Sequence, residues 1–206
     1  MVMDSERRRQ ARRQDRGVRR IEAVLDAAEA VFAEAGYEAA TTSAIAARAG
    51  ISPGSLYQFF GGKEALARAL GERYVGSLRL LHEAALATVT GVPLETFVSG
   101  FVDPIVEFNR AHPALMKLFG ASQAPPGLRT VPVGLQQELL DRLERAFAAR
   151  LPRLGSKRRS RMVIVTLQIG LALLPLTLDA DRATAKAFAA ELKAAICAYW
   201  SAAGDA

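Results

Sequence analysis

Apolar positions recur at helical spacing along nearly the whole chain. From Arg19 onward, Ile21, Val24 with Leu25, Ala28, Val31 with Phe32, and Ala35 follow at intervals of three and four, the pattern of one face of an α-helix. Gly36 predicts its end, because helices commonly close on a glycine in left-handed conformation. The Thr41-Thr42-Ser43 cluster predicts the start of a short second helix, since hydroxyls there accept hydrogen bonds from the free amides of a first turn. Gly50 stops that helix. Ser52 followed by Pro53 reads as an N-cap and a first helical residue, so a third short helix is expected from Pro53 to about Phe60. Two short helices joined through Gly50 and Ile51 make a helix-turn-helix corner, with Ile45, Ala46, Ala49, Ile51, Leu56 and Phe60 available to fill it.

Gly61-Gly62 breaks the chain, and a long helix follows from Lys63 with Leu66, Leu70, Tyr74, Leu78, Leu81 and Ala85 on one face. Extended to Thr88, it spans about 39 Å at 1.5 Å per residue. After Gly91-Val92-Pro93, Phe97, Phe101, Ile105 and Phe108 predict a helix from about Leu94 to Asn109, which Pro104 should kink. His112-Pro113 opens a short helix through Phe119, and Gln123 to Pro132 reads as a loop rich in breakers. Helical patterning resumes from Val133 to Leu151, pauses at Pro152 to Ser156, and returns in two long segments, Lys157 to Leu178 and Asp181 to Ala203. No alternating run marks a strand. The pattern therefore predicts an all-α chain of about nine helices.

Composition narrows the function. Of 206 residues half are apolar and 7% aromatic, ample for a buried core. The single cysteine, Cys197, and two histidines form no internal disulfide and fit no standard zinc spacing. A reducing compartment, no metal and no cofactor are expected. Residues 1 to 20 carry eight arginines against Asp4, Glu6 and Asp15, so most of the net charge of +6 sits there. Such a start is not a signal peptide, and a cytoplasmic protein is expected. The apolar run Met162 to Leu178 is 17 residues long, short of the roughly 20 that a membrane span needs, although the basic Lys157 to Arg161 precedes it. The basic segment itself fits nucleic acid or an anionic membrane surface. Nothing signals an enzyme: there is no nucleophile elbow, phosphate-cradling glycine loop or metal cluster.

The stretch ISPGSLYQFF, Ile51 to Phe60, carries the sharpest question. Leu56 and Phe60, four apart, share an inward face with Ile51, which leaves Ser52, Ser55, Tyr57, Gln58 and Phe59 partly or wholly outside. That is either a helical corner with an exposed aromatic or a surface that docks against DNA. For docking, hydroxyls suit phosphates, Gln58 suits adenine, and Gly54 removes bulk. The arginines just before the first helix, Arg19 and Arg20 included, add the charge that such docking needs.

Thr41 to Leu66, TTSAIAARAGISPGSLYQFFGGKEAL, closely resembles the DNA-binding signature of the tetracycline-repressor (TetR) family of bacterial transcription regulators, and the resemblance is strongest over about Arg19 to Leu70. It implies a basic arm over 1–18, expected to be disordered, a helix-turn-helix domain over 19–66, and a helical effector-binding and dimerisation domain over 67–206. It further implies phosphate contacts for Thr42, Ser55, Tyr57 and Lys63, a base-facing position for Ser43, and base or nearby backbone contacts for Pro53, Gly54, Gln58 and Phe59. Phe59 stands where Tyr or His is usual, which exchanges a polar contact for an apolar one. Gly61-Gly62 replaces a polar pair and loosens the approach to Lys63.

In the rest of the chain, apolar residues cover most sides of the segment from Met162 to Leu174, which fits burial against both its own chain and a partner. TetR-like proteins resemble this, pairing through their last two long helices. A homodimer through Val163, Leu167, Leu171, Leu174, Phe188 and Ile196 is expected, with a monomer's core helix as the alternative. The resemblance also implies a small-molecule pocket, for which Phe97, Phe101, Phe108, Met116, Phe119 and Trp200 are the candidates. His82 and His112 are expected at the surface or at helix ends. The function implied is that of a dimeric repressor on a palindromic DNA operator, released by a small apolar effector that tilts the long fourth helix.

Overall fold

The computed structural model describes residues 2–87, 90–119, 128, 130–178 and 181–204. Among them are nine α-helices and no strand: α1 (Val2–Ala39), α2 (Thr42–Arg48), α3 (Pro53–Tyr57), α4 (Lys63–Ala87), α5 (Leu94–Ala111), α6 (Pro113–Phe119), α7 (Thr130–Arg150), α8 (Ser156–Leu173) and α9 (Arg182–Gly204). A 3-10 turn, Leu174–Thr177, continues α8 past the point where Pro175 removes an amide.

The boundaries differ from expectation where local chemistry outweighs apolar spacing. α1 begins at Val2 and takes in the basic segment expected as a disordered arm. The arginines, glutamines and alanine of this stretch are strong helix formers, so no apolar face is needed for it to be helical. At Gly36 the backbone leaves helical geometry (φ 73°, ψ 177°), so the predicted stop is present as a kink before the chain reaches Ala39. α3 is shorter than expected: beyond Tyr57 the amides of Phe59 and Phe60 both bond the Leu56 carbonyl, and the chain turns out of the helix toward Gly61. α7 starts at Thr130, so the last part of the stretch expected as a loop is helical. Most of that stretch, like Thr88, lies outside the described residues.

The chain forms two compact units, Met1–Arg73 with Pro113–Val131, and Tyr74–His112 with Pro132–Ala206. The division is not the single cut after 66 that the resemblance implies. α6 joins the first unit because its Ala114, Leu115, Leu118 and Phe119 are buried and it packs on α1, where Lys117 donates to the carbonyl of Ala33. The core of this unit is Val24, Ala28 and Phe32 of α1, Ile45 and Ala46 of α2, Leu56 of α3, and Leu66 and Leu70 of α4. Ile21 and Ala35, expected on the inner face, are exposed. Three carboxylates on α1 hold α4: Arg73 bonds Asp26 at 2.6 Å, Glu29 at 2.6 Å and Glu22 at 3.3 Å.

In the second unit, α5, α7, α8 and α9 enclose one cluster containing Phe97, Phe101, Phe147, Met162, Leu167, Leu192 and Trp200. Trp200 lies against Phe147, with ring centroids 3.8 Å apart and the planes tilted by 32°, and its indole N–H donates to the Thr166 hydroxyl at 3.0 Å. Asp181 caps α9 by accepting from the amides of Ala183 and Thr184. Joined with the following turn, α8 forms a 22-residue element, Ser156–Thr177, with a mean hydropathy of 1.5 over its most apolar window. By length and composition alone it is apolar enough to cross a membrane, its 22 residues counting the basic turn before Met162, a test that the core helix of a globular unit also passes. Its Met162, Val163, Thr166 and Leu167 are nonetheless buried in the unit.

Candidate functional site

The helix-turn-helix corner is built from side-chain caps. Thr41 Oγ1 accepts from the amide of Ala44 at 3.1 Å and starts α2. Gly50, at φ 67°, makes the left-handed turn that lets α3 leave at a new angle. Ser52 then caps α3, accepting from the Ser55 amide at 3.1 Å and donating to the Ser55 hydroxyl at 3.0 Å. The Ser55 hydroxyl keeps its own proton for an outside acceptor. Across the corner, the Thr42 and Tyr57 hydroxyls lie 3.2 Å apart in a hydrogen bond, so the two positions expected at phosphates are held as a pair.

On α3 only Leu56 is buried. Ser52, Pro53, Gly54, Tyr57, Gln58 and Phe59 are exposed, as is Ser43 on α2, while Thr42 and Ser55 are half-buried. Tyr57 is 55% exposed and Phe59 37%, a large aromatic surface that the chain's own core leaves unused. A Cβ at Gly54 would meet only Ser52 Oγ, at 3.9 Å. Its own fold therefore does not require glycine here, whereas close approach by another molecule would.

Lys63 opens α4 and has partners within its own unit. Its ammonium donates to the carbonyls of Tyr37 at 2.7 Å and Glu38 at 3.0 Å and lies 4.5 Å from the centre of the Tyr37 ring. The charge ties the start of α4 to the end of α1, and a phosphate would have to compete for it. Arg48 is similarly engaged by both oxygens of Glu34. Arg19 and Arg20 are exposed on α1.

The second unit holds a cavity of about 80 Å³. Phe97, Phe101 and Ile105 of α5 form one wall, Leu139 and Leu143 of α7 another, Thr166, Leu167, Gly170 and Leu171 of α8 a third, and Leu192, Ile196 and Trp200 of α9 a fourth. The Thr166 hydroxyl already accepts from Trp200, so the lining is otherwise apolar. At about 10–15 Å³ per water on this measure, the space equals that of a handful of waters, and a larger guest enters only if lining side chains move.

Of the residues expected at the pocket, Phe97, Phe101 and Trp200 line this cavity. Phe108 instead packs edge-on to Tyr74, 5.8 Å away, and against His112 at 4.3 Å. Met116 and Phe119 belong to α6 in the first unit; helical spacing cannot show that their helix leaves one unit for the other. The expected dimer residues also move. Val163, Leu167 and Ile196 are buried in their own chain, and Leu171 and Leu174 line the cavity, while Phe188 is half-buried. Ile164, Val165 and Leu176 carry the exposed apolar surface of this helix, at 52%, 39% and 41%.

One cluster was missed from sequence. His82, expected at the surface or a helix end, is 2% exposed, and so is Arg142. Arg142 Nη1 lies 2.9 Å from His82 Nδ1, and its Nη2 bonds Glu138 at 2.7 Å. Burial, with Arg142 beside it, pushes the imidazole pKa down to about 3. The signal was available in the spacing: Leu78, His82 and Ala85 fall at i, i+4 and i+7 on the inner stripe of α4. His112, by contrast, does sit at the end of α5.

Comparison with known proteins places both units. Residues 24–70 match the family model for bacterial regulatory proteins of the tetR family, and residues 93–199 that for the tetracyclin repressor-like C-terminal domain. The chain belongs to the TetR family. It is 35% identical to the A-factor receptor protein of Streptomyces griseus over 88 residues, which is 43% of this chain and 29% of that protein's length. Among solved structures, the TetR-family regulator from Mesorhizobium loti superposes with a TM-score of 0.71 at 16% identity, covering 91% of this chain and 98% of that one. FadR from Bacillus subtilis, solved with stearoyl-CoA, superposes with a TM-score of 0.62 at 17% identity, covering 85% and 97%. These structural likenesses show the fold, and the family matches make this TetR protein a DNA-binding transcription regulator.

Proposed function

We propose that this TetR protein is a repressor that binds a palindromic operator as a dimer and is released by a small apolar effector held in the α5–α7–α8–α9 cavity. The observation that carries the reading is α3 with the turn that follows it, where only Leu56 of the helix is buried and Tyr57, Gln58 and Phe59 face solvent, a surface that the core of the chain leaves unused. Ser55, Tyr57 and Thr42 meet phosphates, and Gln58 and Ser43 face base edges. Pro53 and Gly54 bring the backbone close, Phe59 offers apolar contact to a thymine methyl, and the arginine segment with Arg19 and Arg20 supplies charge. Few side chains here read bases, so DNA shape contributes to specificity.

A single recognition helix reads only a few base pairs, so two copies are needed. The exposed Ile164 and Val165 of α8 and Leu176 of the turn after it, with the exposed Ala183, Ala187, Ala190, Ala194 and Ala198 of α9, form the pairing surface. Small residues on α9 let a partner helix approach closely. This use of the apolar face of α8 fits a cytoplasmic protein that binds no membrane. The lining of the cavity supports an effector with a large apolar part, and the stearoyl-CoA bound by a structural relative is of that kind. The protein has no catalytic role in this scheme.

Effector and operator are linked through α4, which gives residues to both units. A 100-fold loss of operator affinity corresponds to about 2.7 kcal/mol of coupling, and the operator must weaken effector binding equally. Selection of duplexes from a random pool by the purified full chain, at low and physiological salt, tests the reading. A palindrome surviving the higher salt is the expected result. Recovery of only salt-sensitive, sequence-blind DNA would leave the basic segment as the sole nucleic-acid element and refute operator recognition.

A further inference from the structure

We propose that His82 is the positioning residue through which the filling of the cavity reaches α4, by way of the ring of Phe101. This rests on the reading above, in which the cavity takes the effector and α4 serves the DNA-binding unit. Phe101 forms part of the cavity wall. The imidazole of His82 lies parallel to the Phe101 ring, 4.2 Å away and tilted by only 7°. His82 is buried, and close-packed interiors transmit displacement rather than absorb it. A guest that pushes Phe101 therefore pushes His82, and His82 is a residue of α4.

Hydrogen bonding fixes how the imidazole is held. A guanidinium has no acceptor, so Arg142 donates to Nδ1 at 2.9 Å and the imidazole proton resides on Nε2. Among the described residues Nε2 has no hydrogen-bond partner. The ring is thus tethered on one edge only, and that tether leads back to α7. Arg142 bonds Glu138, which also takes Arg79 of α4 at 2.8 Å. Leu139 and Leu143, beside Glu138 and Arg142 in the sequence, line the cavity. Two positions of α4 three residues apart, Arg79 and His82, are therefore joined to the α5 and α7 walls.

Gly170 provides a test that needs no identified effector. It lines the cavity, and a Cβ built there meets nothing within 4 Å, so Gly170→Val is sterically tolerated and adds side-chain bulk at the cavity wall. With the duplex recovered by selection, Gly170→Val in the full chain is expected to weaken operator binding about tenfold, within the usual range of allosteric coupling. In a His82→Leu background the same substitution should change affinity by less than about twofold, while His82→Phe, which keeps a flat ring on Phe101, should restore most of the effect. His82→Leu strands the Arg142 donor, so His82→Leu/Arg142→Met, which removes both polar partners, serves if the single variant does not fold. An undiminished tenfold effect in the leucine background overturns the relay and leaves the cavity reading standing. If Gly170→Val has no effect even with His82 present, the cavity reading fails and the relay with it.

Discussion

The two units of this TetR protein treat polar groups in opposite ways. The helix-turn-helix unit presents Tyr57, Gln58 and Ser52 to solvent around a single buried leucine on α3. The second unit buries His82, Arg142, and Thr166 with Trp200 behind a lining that is almost wholly hydrocarbon. A surface that meets DNA needs polar groups already exposed and oriented, because phosphate and base edges are themselves polar and hydrated. A cavity for an apolar guest needs its polar groups satisfied or withdrawn, since an unpaired buried group costs about 1–3 kcal/mol. The first kind of site is written in residue identities, and the second in how residues pack.

The comparison breaks first, if at all, under core truncation. Phe32→Ala in the first unit and Phe147→Ala in the second, both with fully buried rings, should each cost about 3–5 kcal/mol. Denaturant unfolding followed at several wavelengths is expected to show each substitution moving a different transition. One shared transition that both variants shift equally would mean that the units are not separate folding blocks.

A smaller effect separates the units by acidity, since both histidines lie in the second unit. His82 is held neutral with its pKa lowered to about 3, whereas an unfolded histidine titrates near 6.5. Above about pH 7 neither state binds the proton and the residue adds no pH dependence. As pH falls below 6.5 the unfolded chain takes up a proton that the folded one refuses, so stability drops by about 1.4 kcal/mol per unit, or roughly 2 kcal/mol by pH 5. Melting curves of the wild type and His82→Phe between pH 7 and 5 should diverge by that amount, and parallel curves would contradict a buried neutral imidazole.

Arg73→Ala should cost the DNA-binding unit roughly 1–2 kcal/mol, because Glu22, Asp26 and Glu29 lose a shared cation. Arg73→Lys should recover part of it in the same denaturation assay. The mildest substitution, Tyr57→Phe, removes one exposed hydroxyl. It is expected to leave the melting temperature unchanged and to weaken operator binding about fivefold, the worth of one hydrogen bond of about 1 kcal/mol. A fall in stability without a fall in affinity would make the Thr42–Tyr57 bond a purely structural one.

The legibility of the two units follows from the same contrast. Nearly every element of the first unit was predictable because caps and breakers act locally: Thr41, Gly50, Ser52 and Pro53 do their work within four residues of themselves. The bonds that Lys63 makes to the carbonyls of Tyr37 and Glu38 were not legible, because those residues are more than twenty positions away. In the second unit the helices were visible from periodicity, yet periodicity marks an inner face without saying what that face meets. Val163 and Leu167 look the same as Ile164 and Val165 in composition, and only the packing of α8 against α9 and the unit's core buries the first pair and leaves the second exposed.

By itself, the amino-acid sequence determined the all-helical fold, the corner of α2 and α3, and the family, because each depends on short-range capping, turn chemistry and hydrophobic spacing. Tertiary structure alone decided that α6 belongs with α1, that Lys63 bonds the end of α1, which aromatics surround the cavity, and that His82 lies flat against Phe101. Those outcomes depend on contacts between residues far apart in the chain, for which helical spacing supplies a face but not a partner.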